Sequence, residues 1–153
     1  MTATLIGLCA AQSAVAQSLP KYSELMQQIV KLQDEVFEVK SKVFRALTSN
    51  NYTALVSGCE EFKKQDDLFL NNFYQIKSFA YFTTNNPKSY SEKYLSSAIL
   101  TLADAMNSRQ QGIFTLCRSQ PVGRFEAMSA LGLLSNAYTT AQTSELWTEM
   151  SDQ

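Results

Sequence analysis

Residues 22–47, YSELMQQIVKLQDEVFEVKSKVFRAL, decide the fold. Within them Tyr22, Leu25, Ile29, Leu32, Val36, Val39, Val43 and Ala46 recur at steps of three and four. That repeat lines up one face of an α-helix and, sustained this long, forms a heptad seam. Met26, Val30, Phe37 and Phe44 are expected to widen the seam into the broader stripe that a bundle buries. Lys31, Asp34, Glu35, Glu38 and Lys42 fall on the opposite face and are expected in solvent. The helix is expected from about Pro20 to Leu47.

The pattern repeats outward from this segment. Thr48-Ser49-Asn50-Asn51 is turn and cap chemistry, because these side chains bond free backbone groups. A second helix is expected to about Phe82, with a seam through Tyr52, Leu55, Cys59, Phe62, Asp66, Phe69, Phe73, Ile76 and Ala80. Thr83-Thr84-Asn85-Asn86-Pro87 ends it, and Ser89-Tyr90-Ser91-Glu92 has the spacing of a capping box that opens a third helix. The third seam is Leu95, Ile99, Leu102, Met106, Arg109, Ile113 and Leu116. The fourth passes through Ala127, Leu131, Leu134, Tyr138 and Ala141. Ser129, Gly132 and Ser135 weaken this last helix, and the chain is expected to fray after Glu145.

Short turns make successive helices antiparallel neighbours, and facing seam positions are then centred on the turn. Pairing the first seam with the second centres on Ser49, the second with the third on Pro87-Lys88, and the third with the fourth on Gln120. Each centre lands on turn residues. The expectation is therefore an all-α protein, an antiparallel up-down-up-down four-helix bundle.

This register places Cys59 and Cys117 at one level on adjacent helices, where a disulfide is expected. Closing a loop of this length stabilises by roughly 4 kcal/mol in the chain-entropy model. It also places Asp66 and Arg109, the two polar interruptions of apolar seams, in one layer between Leu32 and Leu131. A partly buried ion pair is expected there. Removal of one partner costs about 3–5 kcal/mol.

Residues 1–16 read differently. They carry no charge, include an apolar run and end in Ala14-Val15-Ala16, an A-x-A cleavage pattern. The first Lys is Lys21, so the usual basic start is absent. We read 1–16 as a signal peptide and 17–153 as the bundle domain. The expected location is then periplasmic or secreted, and two cysteines remain in the mature chain, an even pair that suits export. Asn51-Tyr52-Thr53 matches the N-glycosylation sequon.

The chain contains no histidine. Di-iron bundles use Glu-x-x-His, and c-type haem attachment uses C-x-x-C-H; neither motif occurs. No phosphate-binding loop appears. With a net charge of −1 and both signs dispersed, there is no basic stripe to follow a nucleic acid. No apolar run reaches the roughly 20 residues of a membrane span. No cofactor, metal site or catalytic constellation is therefore expected.

Aromatics are in surplus. Phe69 to Phe82 holds six, of which Tyr74, Tyr81 and Phe82 lie off the seam, and Trp147 falls in the same half of the bundle. Such residues are favoured at binding hot spots, so Tyr74, Tyr81, Phe82 and Trp147 form the candidate interaction surface. The leading expectation is a non-enzymatic exported protein acting through a protein partner, as an inhibitor, immunity-type protein, adaptor or secretion-associated component. The alternative is a carrier of a small apolar or aromatic ligand in a cavity lined by Phe73, Leu102 and Tyr138.

Overall fold

The computed structural model describes residues 20–59, 61–62, 87–118 and 121–153, and every structural statement below concerns these. They are helical throughout apart from short connections, with no strand among them. Helix α1 spans Tyr22–Ser49. Helix α2 is described over 53–59 and 61–62. Helix α3 spans Tyr90–Arg118 and α4 spans Arg124–Ser151. The signal-peptide segment lies outside the described residues, as do Asp66, Tyr74, Tyr81 and Phe82.

The helix ends follow from local chemistry. Helix α1 stops where Asn50 adopts φ 52°, a left-handed conformation that Asn tolerates, and the Asn51 N–H donates to the Ala46 carbonyl at 3.1 Å. At the start of α3, the Glu92 N–H donates to Ser89 Oγ at 3.2 Å. The Glu92 carboxylate accepts from the Lys88 N–H at 2.6 Å, so the capping box closes one residue earlier than the ideal motif. Helix α4 begins with Glu126 accepting from the Gly123 N–H at 3.1 Å.

Burial on α1 follows the expected seam, with Leu25, Ile29, Leu32, Val36, Val39, Val43 and Ala46 all buried. Of the residues expected to widen it, Met26 alone is half-buried. Val30, Phe37 and Phe44 are exposed, the last two by 62% and 59%. The reason lies in the α1–α4 contact. Gln33 Nε2 donates to Glu145 Oε2 at 2.8 Å, and the Lys40 ammonium sits 5.1 Å from the centre of the Tyr138 ring. These polar contacts join the two helices, and the phenylalanines stand outside them on the rim of an open groove.

Helix α4 departs from expectation in the other direction. It continues past Glu145 to Ser151, and its buried residues are Ala127, Ala130, Leu134, Ala137, Ala141, Ser144, Thr148 and Ser151. This is an unbroken three-four repeat made almost wholly of small side chains. Tyr138 and Leu131, expected in the seam, are only half-buried. The seam has rotated toward α3, with which α4 shares the most extensive helix interface; α1 packs mainly on α4 and little on α3.

Small residues let α3 and α4 approach closely. Ser144 Oγ donates to the Ala98 carbonyl at 2.7 Å and Ser91 Oγ to the Ser151 carbonyl at 2.6 Å. A Cβ added at Gly112 would stand 3.0 Å from Leu134 Cγ and 3.4 Å from the Ala130 carbonyl oxygen. Bonds from side chain to the neighbouring helix's backbone recover polar groups that a dry interface would otherwise strand. The pairs Ser91·Ser151 and Ala98·Ser144 are both centred on Pro121, one residue beyond the expected Gln120.

Candidate functional site

Two features fix the frame on which any site is built. Cys59 of α2 and Cys117 of α3 lie at disulfide distance, with 5.4 Å between their Cα atoms. Both are buried. Arg109 is the largest fully buried side chain, 1% exposed, and its Nε lies 3.5 Å from Glu35 Oε2 on α1. The expected partner, Asp66, is outside the described residues. Glu35 was assigned to the solvent face by the sequence, yet it is half-buried. It adjoins Val36 at the edge of the seam, and a long side chain at such a flank reaches inward toward a charge. An intramolecular ion pair of this kind can fix how two helices are set against each other.

Outside that frame, α1 carries solvent charge as expected. Lys42 Nζ lies 2.8 Å from Glu38, one helical turn away, and the hydrogen bond and charge of Lys42 hold the Glu38 carboxyl below its ordinary range. Lys42 also sits 5.5 Å from the centre of the Phe62 ring of α2.

Trp147 is half-buried and stacks on Tyr94 of α3, with centroids 5.8 Å apart and planes inclined by 21°. Its ring serves the α3–α4 contact. Of the cavity expected for a ligand, Leu102 is fully buried in the core and Tyr138 lies under Lys40, while Phe73 is outside the described residues. Asn51 of the sequon is exposed just after α1, in keeping with a turn.

Two other apolar surfaces stand free. One is a groove between α1 and α4 lined by Phe37, Lys40, Ser41, Phe44, Arg45, Leu131 and Ser135. The second flanks the α3–α4 connection, where Phe114 is 59% and Phe125 78% exposed. The Arg118 guanidinium lies 5.8 Å from the Phe114 ring centre, and Phe114 lines a shallow groove with Gln110, Gln111, Ile113 and Leu133. A cation near an aromatic face is a favourable contact that also holds the ring in place.

Neither surface was singled out from the sequence. The signal for the first was present: Val30, Phe37 and Phe44 are spaced by sevens, a second stripe rather than an edge of the first. Phe114 and Phe125 are isolated apolar residues on polar faces, and single residues carry no periodic signal.

Among the described residues there is no cluster of three or more acidic or cysteine side chains able to hold a metal ion, and no helix long and apolar enough to cross a membrane. No protein-family model, curated protein or solved structure matches this chain.

Proposed function

We propose that this chain is an exported, non-enzymatic up-down-up-down bundle that acts by contact with another protein. The observation that carries this reading is exposed Phe114 with Arg118 beside it near the α3–α4 connection, where Phe125 is exposed as well. Exposed aromatic residues next to arginine have the composition of binding hot spots. A surface held by long helices also loses little conformational entropy when it is covered.

Supporting features agree. The α1–α4 and α3–α4 contacts both advance on one helix as they retreat on the other, as antiparallel neighbours require. A buried cysteine pair at disulfide distance is compatible with an oxidising compartment. Cleavage after Ala16 supplies the export route, and Tyr74, Tyr81 and Phe82 remain candidates for extending the contact surface.

The test is site-specific photocrosslinking in the native host. A photoreactive phenylalanine analogue at position 114 is expected to give a covalent adduct with a second polypeptide. The same analogue at exposed Asp104 is expected to give none. Equal labelling from both positions would overturn the interaction surface. A small molecule retained by the purified chain in native mass spectrometry would favour the carrier instead.

A further inference from the structure

We propose that the α1–α4 face is a self-association surface, on which a second copy of this chain docks antiparallel about a two-fold axis at the level of Lys40 and Tyr138. The face sets apolar side chains among polar ones such as Lys40, Ser41 and Ser135. Helix α1 supplies Phe37 and Phe44 and α4 supplies Leu131, all lining one groove. Met128, three residues before Leu131, and Leu146, five helical turns beyond Met128, extend the same side of α4; both are exposed. Five turns make a strip about 27 Å long. Exposed apolar surface of this extent on a folded helical face marks an interaction site.

The occupant is argued from charge. One end of the strip is basic, with Arg45 on α1 and Arg124 on α4. The other end is acidic, with Asp34 on α1 and Glu145 and Glu149 on α4. The two-fold operations that stack such a face on itself differ in outcome. An axis parallel to the helices sets basic end on basic end. An axis across the helices inverts the second copy, so that each basic end meets an acidic one. Charge therefore selects the antiparallel arrangement.

The pairs Phe37·Phe44 and Met128·Leu146 fit the same axis, whereas Val30 and Leu131 meet no apolar counterpart across it. On α1, a centre midway between Phe37 and Phe44 places each copy's Phe37 opposite the other's Phe44 and brings Asp34 within a turn of the other's Arg45. On α4, a centre at Ala137 places Met128 opposite the other's Leu146 and Arg124 close to the other's Glu149. The two centres were obtained from different helices. Both fall at one height in the protomer, the level where Lys40 meets Tyr138.

The acidic end also argues against a lipid surface as the occupant, since anionic headgroups attract basic segments and repel carboxylates. The proposal is independent of the partner surface at Phe114, which lies at the α3–α4 connection.

Sedimentation equilibrium of the purified chain over the micromolar range is the test. The expected result is a reversible monomer–dimer equilibrium. Phe44→Glu, on an exposed position, is expected to weaken it about thirty-fold or more with an unchanged helical circular dichroism spectrum. Arg45→Asp alone is expected to weaken it, and Arg45→Asp with Asp34→Arg to restore it, because the pair then exchanges sides across the axis. A wild-type chain that stays monomeric overturns the proposal. So does a dimer indifferent to Phe44→Glu, or a charge swap that fails to rescue. Flotation of the monomer with phosphatidylglycerol vesicles, abolished by Phe44→Glu, would reassign the face to a membrane.

Discussion

The buried seams of α1 and α4 share one three-four repeat and opposite chemistry. Helix α1 buries leucine, isoleucine and valine, whereas α4 buries alanine, serine and threonine around one leucine. On α1 the repeat removes apolar volume from water, and stability grows with the size of each side chain. On α4 the repeat allows another backbone to come close, and stability depends on side chains staying small. The same periodicity therefore predicts opposite responses to mutation. Shrinking a residue damages the first seam, while enlarging one damages the second.

The largest effect is expected from Ile29→Ala, at a position with no solvent exposure. Loss of transfer energy together with the cavity left behind should cost about 2–5 kcal/mol, read from chemical denaturation. A smaller cost there would mean that α1 collapses onto the gap and is not held by its neighbours.

Next is the contrast between two helical glycines. At Gly112→Ala the new methyl meets Leu134 at 3.0 Å, so overpacking should cost about 1–3 kcal/mol despite the better helix propensity of alanine. At Gly132→Ala nothing lies within 4 Å, and propensity alone should stabilise by roughly 0.5–1 kcal/mol. Opposite signs in thermal denaturation of the two variants sharpen the comparison. Equal signs would break it, because close approach of α3 and α4 is then not limiting.

The smallest is Ser144→Ala, which keeps the size of the seam residue and removes its bond to the Ala98 carbonyl. The expected cost is about 0.5–1.5 kcal/mol. A stabilising change would show that the carbonyl is satisfied within α3 and that size is the sole requirement on α4.

Much of this architecture was legible in advance. The α1 seam coincides with the buried set because large aliphatic residues at heptad spacing have one favourable face. Turn chemistry at Thr48–Asn51 and Ser89–Glu92 marked helix ends to within a few residues, because capping needs particular side chains at particular offsets. The α4 seam was misplaced for a reason tied to composition. All four alanines of α4 lie on its buried face, but alanine, serine and threonine carry little hydrophobic weight, and the larger Tyr138 and Leu131 drew the reading toward their own side.

The surfaces were harder still. Phe37 and Phe44 look like core in a sequence, since hydrophobicity states only that burial is favourable and not that a neighbour has come to supply it. Helix α4 meets α1 instead through Gln33–Glu145 and Lys40 against Tyr138, contacts between residues about a hundred positions apart, and leaves both rings exposed. Glu35 shows the converse. Its charge suggested solvent, and a buried arginine from another helix drew it inward.

By itself, then, the sequence determined that the chain is helical, where most described helices begin and end, and which stripe of α1 is buried, because those properties depend on residues a few positions apart. The tertiary structure decided which way α4 turns its small face, which aromatics are left in solvent and that Glu35 reaches Arg109. Each of those outcomes depends on how closely two helix backbones approach, and that distance is set jointly by side chains far apart in the chain.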